Sequence, residues 1–407
     1  MGPQEALLVC EAAFAAASTV PLVFSDLYNR RVLATQDFPT CPPQGDSDLP
    51  ILSILICVRD ESLVIAGKLD DLFVQEYPRD RMTVMVIDTG SSDDTLDMVE
   101  KWKSSHPEEA SILRVLTSEP GAGKSAGVNL GVKESDGEVV VITDADSRMD
   151  AGGLQRIGRW FLNDSIGAVC GRQMALDNDG RLHSDTGFYR RFYNRAREAE
   201  STTGSTLIFE GSLAGYRRSI IEQGIDSDSN ADDSQLAILA ARSGLRAIHD
   251  PELRFFEAVP TTSKGIHRQR SRRAQGLTRL AWRNLDLLLV RGLSKRFSVF
   301  YYAHVKMPVA LLASIGCGVA ATVFGVSEGK LDTLTLLNPA IAVSILVPAL
   351  FKRREPFLQS TGGISFLHSA WVLLWSHVRM ITRQRSNVWF PLDEVRRSVV
   401  KFDRNRK

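Results

Sequence analysis

Residues 51–253 alternate short apolar runs with longer amphipathic segments, and this alternation constrains the fold more than any other feature of the chain. The apolar runs are rich in β-branched residues and too short for typical helices: ILSILICV, TVMVID, ILRVL and EVVVIT. The segments between them are polar on one side and apolar on the other. Alternating strands and helices predict a Rossmann-like α/β domain with a mostly parallel sheet and a ligand site at the carboxyl ends of the strands.

The composition limits the classes of partner. With 407 residues and 44% hydrophobic content, the chain is large enough to bury a sizeable core. Its formal net charge is +1, so no overall attraction to nucleic acid is expected. The five cysteines form no Cys-x-x-Cys pair, which argues against a zinc site and against a disulfide scaffold. These features favour exposure to a reducing, cytoplasmic environment.

Two apolar stretches near the C-terminus predict a membrane anchor. Residues 307–326 carry no charge, and a helix of this length crosses about 30 Å of hydrocarbon. Residues 334–351 form the second stretch. Basic residues precede the first stretch and follow the second, so the positive-inside rule places both outer flanks in the cytoplasm. The prediction is an integral membrane protein with C-terminal transmembrane helices and a cytoplasmic catalytic domain.

Two further apolar segments leave their relation to the membrane open. Residues 364–381 place most of their large apolar side chains on one helical stripe, which favours an interfacial helix over a third crossing. Residues 6–24 contain Glu11 and either span the membrane or lie on its surface. The predicted organisation has four parts: an N-terminal segment and linker (1–50), a catalytic domain (51–290), a membrane region (291–385) and a cytoplasmic tail (386–407).

Acidic residues follow the strand VVVITDADS, in which Asp144 and Asp146 are two positions apart. Side chains two apart at a strand end point the same way, so both carboxylates can face one divalent cation and the phosphates it bridges. The alternative is an acidic loop that only caps the next helix. The first interpretation predicts a site for Mg²⁺ or Mn²⁺ at this strand end.

Two neighbouring strand ends also carry acidic residues. Asp88 ends the strand TVMVID, and Arg59 and Glu61 leave the first strand in the segment ICVRDE. Asp88 is a candidate acceptor for a base or ribose hydroxyl, because it comes off the same sheet edge. Asp93, in the turn that follows, serves as a helix cap in the simpler interpretation. Acids at three consecutive strand ends favour a binding site.

The segment SEPGAGKSAG resembles a phosphate-binding loop, and that possibility has to be weighed. The spacing G-x-x-x-x-G-K-[ST] that ends at Lys124 and Ser125 requires a glycine at position 118, which is Ser118 here. The missing glycine argues against an ATPase, because the backbone of such a loop wraps closely around phosphate. Lys124 and Asn129 are then either surface residues of a helix or donors to a bound nucleotide.

Two downstream segments complete the candidate site. Asp232 and Asp233 open a predicted helix; such acids are often only favourable partners of the helix dipole, but Asp233 is also a candidate general base. The segment HRQRSRRAQG supplies Gln269, Arg272 and Arg273 as candidate ligands of a diphosphate, or forms a basic collar for anionic lipid. Nucleic-acid binding is not predicted, because no aromatic stacking platform adjoins this cluster.

Taken in order, these motifs resemble the family 2 glycosyltransferases, which are inverting enzymes with a GT-A fold, over about residues 52–283. The resemblance implies that Asp144 and Asp146 form the Asp-x-Asp pair that binds donor and metal. It implies that the segment FEGSLAGYRR, with Glu210, Gly211 and Ser212, is an acceptor-side loop. It also implies a set of nucleotide-sugar contacts: Val58, Arg59, Glu61, Asp88, Lys124, Asn129, Gln269, Arg272 and Arg273.

The triplet Ala231-Asp232-Asp233 is similar to the Thr-Glu-Asp motif of cellulose, chitin and hyaluronan synthases, which implies that Asp233 is the base and Asp232 faces the acceptor. QRSRR is similar to their Gln-x-x-Arg-Trp motif, except that Arg273 stands in place of the tryptophan. Because that tryptophan belongs to the acceptor site of processive members, its replacement argues against chain extension.

The predicted activity is transfer of a single sugar from a nucleotide-sugar donor, a UDP-sugar first and a GDP-sugar second, to a lipid-linked or glycan acceptor at the membrane lipid surface. A processive polysaccharide synthase is the alternative. A catalytically silent membrane scaffold would have little reason to retain both acidic motifs. A nucleotidyltransferase shares the fold class but seldom needs a membrane anchor.

Overall fold

The computed structural model describes residues 2–43, 49–119, 121–182, 187–227, 231–329, 362–382 and 392–406. Contacts along the chain divide it into two compact units. The sheet unit comprises Val32–Thr186, Asn194–Thr261 and Asn387–Lys407. The helical unit comprises Met1–Arg31, Gly187–Tyr193 and Thr262–Ser386.

Within the described residues, eight strands form one mixed sheet. They are β1 (Leu52–Val58), β2 (Met82–Asp88), β3 (Leu113–Thr117), β4 (Val139–Thr143), β5 (Ser147–Met149), β6 (Ile166–Leu176), β7 (Leu213–Arg217) and β8 (Arg246–Ala258). Their order is β3-β2-β1-β4-β7-β6-β8-β5. The first four neighbours are parallel, β7 is antiparallel to both of its neighbours, and β5 is antiparallel to β8. The predicted α/β class with a mostly parallel sheet is confirmed.

The described α-helices are, in chain order, α1 (Pro3–Thr35), α2 (Ile65–Phe73), α3 (Thr95–Ser105), α4 (Pro107–Ala110), α5 (Lys124–Lys133), α6 (Gly153–Trp160), α7 (Gly187–Thr203), α8 (Arg218–Ile221), α9 (Asp232–Arg242), α10 (Ser263–Arg283), α11 (Ser294–Tyr301), α12 (Met307–Ser327), α13 (Gly362–Ile381) and α14 (Asp393–Arg406). The four apolar runs that the sequence assigned to strands are β1 to β4.

The central strands are buried on both faces because helices cover both sides of the sheet. All seven residues of β1 are buried. Its side chains alternate between two apolar clusters, with Ile54 and Ile56 in one and Leu55 and Cys57 in the other. This is why the strand sequence is a nearly continuous apolar run rather than an alternating one.

The last helix, α14, packs into the core of the sheet unit. Val395 and Val399 are buried in the larger apolar cluster, and the Phe402 ring lies 5.0 Å from that of Phe256. No local pattern predicted this packing, and the sequence analysis assigned residues 386–407 to a cytoplasmic tail. The part of that segment that the structure describes is a helix of the sheet unit.

Two described helical stretches are long and apolar enough to cross a membrane, Pro3–Thr35 and Ser294–Ser327. The second contains the predicted span 307–326 and is continuous through a π-helical turn at Tyr302–Lys306. The predicted span 334–351 lies outside the described residues. In the helical unit α1 contacts α12, where a Cβ on Gly318 would lie 2.5 Å from the Glu11 carboxylate, so a larger residue at position 318 would displace that side chain.

The segment predicted to lie at the membrane surface is the helix α13. Trp371, Trp375 and Val378 on it are exposed, whereas Val372 and Leu373 are buried with residues of α10 and α12. The contact division falls at residues 261 and 262, so α10 belongs to the helical unit, although the sequence prediction continued the catalytic domain to residue 290. The reason is that α10 buries apolar residues against α12 and α13.

Candidate active site

Three carboxylates meet beside the carboxyl end of β4. Asp144 and Asp146 follow this strand, and one oxygen from each lies within 4.8 Å of the other and of an oxygen of Glu257. The strand β5 brings Glu257 to this place, because it begins at Ser147 and pairs with β8 so that Ser147 is opposite Glu257. Clustered carboxylate oxygens are the ligands that Mg²⁺ and Mn²⁺ prefer, so these residues fit a divalent cation.

The hydroxyl of Ser212 joins two of these acids. Its Oγ lies 3.0 Å from Asp144 Oδ2 and 3.0 Å from Glu257 Oε2, and it donates its proton to one of them. The carbonyl oxygen of Ser212 accepts hydrogen bonds from the hydroxyls of Thr143 and Ser147. The predicted acceptor-side loop therefore supports the carboxylates of the candidate metal site from behind.

A partly buried ammonium group offsets part of the negative charge. Lys124 Nζ lies 2.6 Å from Asp144 Oδ1 and 3.6 Å from Asp232 Oδ2. Burial alone would lower the pKa of Lys124, but the two carboxylates outweigh this effect and raise it above its usual range. Lys124 is thus a fixed cation that links the carboxylates of the candidate metal site to the start of α9.

The predicted base, Asp233, lies against the acceptor-side loop that carries Ser212. It is partly buried at the first turn of α9, and a Cβ on Gly211 would lie 3.1 Å from its Oδ2. Glycine at position 211 therefore lets the acceptor-side loop approach Asp233 closely. Because Gly211 precedes Ser212 and Asp232 precedes Asp233, the chain brings the base candidate and the metal acids to the same edge of the sheet.

Glu61 is one of the predicted nucleotide contacts, and it is deeply buried. Burial and the negative charge of Asp146 raise its pKa to about 8, while the guanidinium of Arg396 acts in the opposite direction. Arg396 Nε donates to Glu61 Oε2 at 2.9 Å, and Nη2 contacts the other oxygen. Arg396 Nη1 also lies 3.9 Å from Asp146 Oδ2. Glu61 therefore lies behind Asp146 in the same network of charges.

Other predicted nucleotide contacts make hydrogen bonds within the fold. Asp88 accepts from the Ser91 hydroxyl at 2.6 Å and from its backbone N–H at 3.1 Å. The Asn129 amide both donates to and accepts from the backbone of Ile225, at 2.8 and 2.9 Å. Val58 is fully buried in the core. These three side chains support the sheet edge, and their part in nucleotide binding stays a prediction.

The remaining predicted residues lie in three places. Glu210 is buried and accepts hydrogen bonds from Arg197 at 2.8 Å and from the backbone of Gln173 at 2.9 Å, which anchors the acceptor-side loop. Arg59 follows β1, and its Nε is buried with no hydrogen-bond acceptor among the described residues. The other three lie on α10 of the helical unit: Gln269, Arg272 and Arg273.

Sequence reasoning missed two residues of this site. Glu257 had a weak local signal, a single acid near the end of the otherwise apolar run FFEAV. Arg396 had none, because it lies 335 positions from Glu61, its ion-pair partner. A helix rich in charges gives no indication of which one is buried.

The comparisons with known proteins agree with this geometry. Residues 53–225 match the family described as Glycosyl transferase family 2. A mannosyltransferase from Pyrobaculum calidifontis, solved with GDP-Man and Mn²⁺, superposes with a TM-score of 0.76 at 26% identity, covering 93% of this chain and 100% of that one. The fold and the acidic site thus define a GT-A glycosyltransferase domain.

Two curated relatives specify the family further. A probable glycosyltransferase of Bacillus subtilis (strain 168) is 30% identical over 242 residues, which is 56% of each chain. A poly-beta-1,6-N-acetyl-D-glucosamine synthase of Staphylococcus epidermidis is 24% identical over 229 residues, 55% of this chain and 54% of its own. The chain therefore spans a little over half the length of these relatives. Over residues 53–225 its sequence matches the family 2 glycosyltransferases, and its fold is that of the GT-A glycosyltransferases.

Proposed function

We propose that this protein is a membrane-bound, inverting glycosyltransferase that moves one sugar from a nucleotide-sugar donor to a lipid-linked or glycan acceptor. The observation that carries the proposal is the meeting of Asp144, Asp146 and Glu257 at the sheet edge where α9 presents Asp233. Such a transfer needs two parts, a cation held by carboxylates and a separate carboxylate base.

The metal-binding carboxylates and the base have separate roles in the mechanism. Asp144 and Asp146, with Glu257 beside them, would hold Mg²⁺ or Mn²⁺, and the bound cation would neutralise charge on the departing nucleoside diphosphate. Asp233 accepts the proton of the acceptor hydroxyl as its oxygen bonds to the anomeric carbon. The bond from that carbon to the diphosphate oxygen breaks on the opposite side, so the anomeric configuration inverts. Lys124 holds Asp144 in place during the transfer.

The donor is a nucleoside-diphosphate sugar. The motif resemblance favours a UDP-sugar, whereas the neighbour that covers 93% of this chain was solved with GDP-Man. GDP-mannose is therefore the first donor to test, and the UDP-sugars are the second.

The membrane part of the proposal rests on the apolar helices. Pro3–Thr35 and Ser294–Ser327 are long and apolar enough to cross, and the second carries two basic residues in its first turn, Lys295 and Arg296. A cytoplasmic sheet unit anchored in this way would meet a lipid-linked acceptor at the bilayer surface. The exposed Trp371 and Trp375 of α13 are the type of side chain found at membrane–water interfaces.

A processive polysaccharide synthase is the second candidate, and the relative named as a poly-N-acetylglucosamine synthase favours it. Against it stands Arg273, which is exposed and occupies the place of the tryptophan in the related motif. The length of the product separates the two candidates.

The test is a transfer assay on the full chain in nanodiscs. Labelled GDP-mannose, UDP-glucose and UDP-N-acetylglucosamine are each supplied with a bacterial lipid extract and Mn²⁺. The expected product is short and lipid-extractable, and Asp233→Asn should lower its rate by about 10²–10⁴-fold while donor binding by calorimetry is retained. A long polymer would support the synthase instead, full activity in a chelator would contradict the metal, and an active Asp233→Asn variant would contradict the base.

A further inference from the structure

The helix α14 directs one buried arginine at the acids of the candidate metal site. Arg396 is only 4% exposed. Its guanidinium binds both oxygens of Glu61 and lies 3.9 Å from Asp146 Oδ2 through Nη1. A residue of the last helix is thus positioned directly behind a predicted metal ligand.

A second ion pair from α14 supports the backbone of the same loop. Asp403 accepts two hydrogen bonds from the buried Arg148, at 2.9 Å from Nε and 2.8 Å from Nη2. Arg148 donates to the carbonyl oxygens of Ala145 and Ser147 at 2.9 Å and of Val64 at 3.1 Å. All five N–H donors of this guanidinium are therefore used. Two of them fix the backbone between and after the predicted metal ligands.

The packing of α14 leaves little freedom for these contacts to move. A Cβ on Gly180, which has a φ of +69°, would lie 2.4 Å from the backbone nitrogen of Phe402, so the loop and the helix are in close contact. Arg406 forms a third ion pair, 3.1 Å from the buried Asp71. Buried charges of this kind depend on their partners, because an uncompensated buried charge is strongly unfavourable.

We propose that α14 is part of the active site and that Arg396 and Asp403 are positioning residues. Arg396, which Glu61 holds in place, orients Asp146 through its own ion pair with that carboxylate, and Asp403 orients the loop backbone through Arg148. The proposal rests on the proposed function, since it concerns the same cation and donor site. It adds that the C-terminal helix sets the geometry in which that site binds.

The two residues carry opposite charges, so substituting each of them distinguishes positioning from a purely electrostatic effect. Arg396→Gln removes one positive charge near the site, whereas Asp403→Asn removes one negative charge. If α14 acted only through its electrostatic field, the first change would tighten cation binding and the second would weaken it. If it acts by positioning, both changes weaken cation binding.

The experiment measures Mn²⁺ binding to the full chain in detergent by electron paramagnetic resonance, first alone and then with GDP and with UDP. The matched controls are Arg397→Gln and Asp393→Asn, which make the same charge changes at exposed positions of the same helix. The expected result is about 10–100-fold weaker Mn²⁺ binding in both site variants, as for other groups behind a metal ligand. The controls should stay within about twofold of wild type, because exposed charges are screened.

A second pair of variants tests the proposal if Arg396→Gln or Asp403→Asn fails to fold. Arg396→Lys and Asp403→Glu keep their charges but lose the fitted two-point contacts, and they should give a smaller weakening in the same direction. The proposal is overturned if the site variants shift Mn²⁺ binding in opposite directions or match their controls. Wild-type protein that binds no Mn²⁺ with either nucleotide would instead contradict the proposed function itself.

Discussion

Two strand ends of the sheet have similar sequences and different surroundings. At the end of β2, Asp88 accepts hydrogen bonds from the backbone and hydroxyl of Ser91, three residues further on. After β4, Asp144 and Asp146 instead meet Glu257 from a distant strand. An acid at a strand end can therefore accept hydrogen bonds within its own turn, or it can join distant residues in a site. Which of the two occurs depends on whether its partners are near or far in the sequence.

The difference is also electrostatic. Three carboxylates with oxygens within 4.8 Å of one another repel, and Lys124 and Arg396 offset only part of that repulsion. A divalent cation would offset the remainder. At Asp88, neutral donors satisfy the carboxylate without any cation, so that strand end has no comparable demand for a metal.

The largest effect expected at either strand end is that of Asp146→Asn. Loss of one carboxylate ligand should lower kcat/KM by about 10³-fold or more, because the cation supplies several kcal/mol of charge stabilisation. The control is Asp136→Asn, an exposed acid before the other end of β4. Rates are measured across a range of Mn²⁺ concentrations. Equal rates for the two variants would contradict a metal site at the carboxyl end of β4.

A smaller effect is expected from Glu257→Gln. The amide keeps an oxygen for the Ser212 hydroxyl but removes the charge, so Mn²⁺ affinity should fall by about 10–100-fold, a loss like that from other groups that tune a metal site. The control is Glu252→Gln, an exposed acid on the same strand. Calorimetric Mn²⁺ titration checks this. An unchanged affinity would leave Asp144 and Asp146 as the metal acids without Glu257.

The smallest effect is expected from Asp88→Asn, and it should appear in stability. Replacing the acceptor of the Ser91 contacts should lower the free energy of unfolding by about 1–3 kcal/mol while Mn²⁺ affinity stays unchanged. Denaturant unfolding, with the exposed Asp97→Asn as control, measures it. A fall in Mn²⁺ affinity like that of Asp146→Asn would break the comparison, and a higher donor KM alone would support the predicted nucleotide contact.

Local pattern was enough to predict much of this molecule. The four strands β1 to β4 follow from apolar runs rich in β-branched residues, and parallel pairing then places their carboxyl ends at one edge. The prediction that Asp144 and Asp146 share a site with the acids that open α9 came instead from the resemblance of residues 231–233 to the Thr-Glu-Asp motif. The predicted domain boundary at residue 290 differs from the division at residues 261 and 262. The burial of α10 depends on its neighbours α12 and α13 rather than on its own sequence.

By itself, the sequence determined the order of strands and helices and the presence of acids at particular strand ends, because periodicity and chain direction are local properties. Only the tertiary structure decided which acids share a site. Glu257 meets Asp146 through the pairing of β5 with β8, and Arg396 reaches Glu61 across 335 positions because α14 packs into the core. Contacts between such distant residues arise from how apolar surfaces are buried together, and no short motif encodes them.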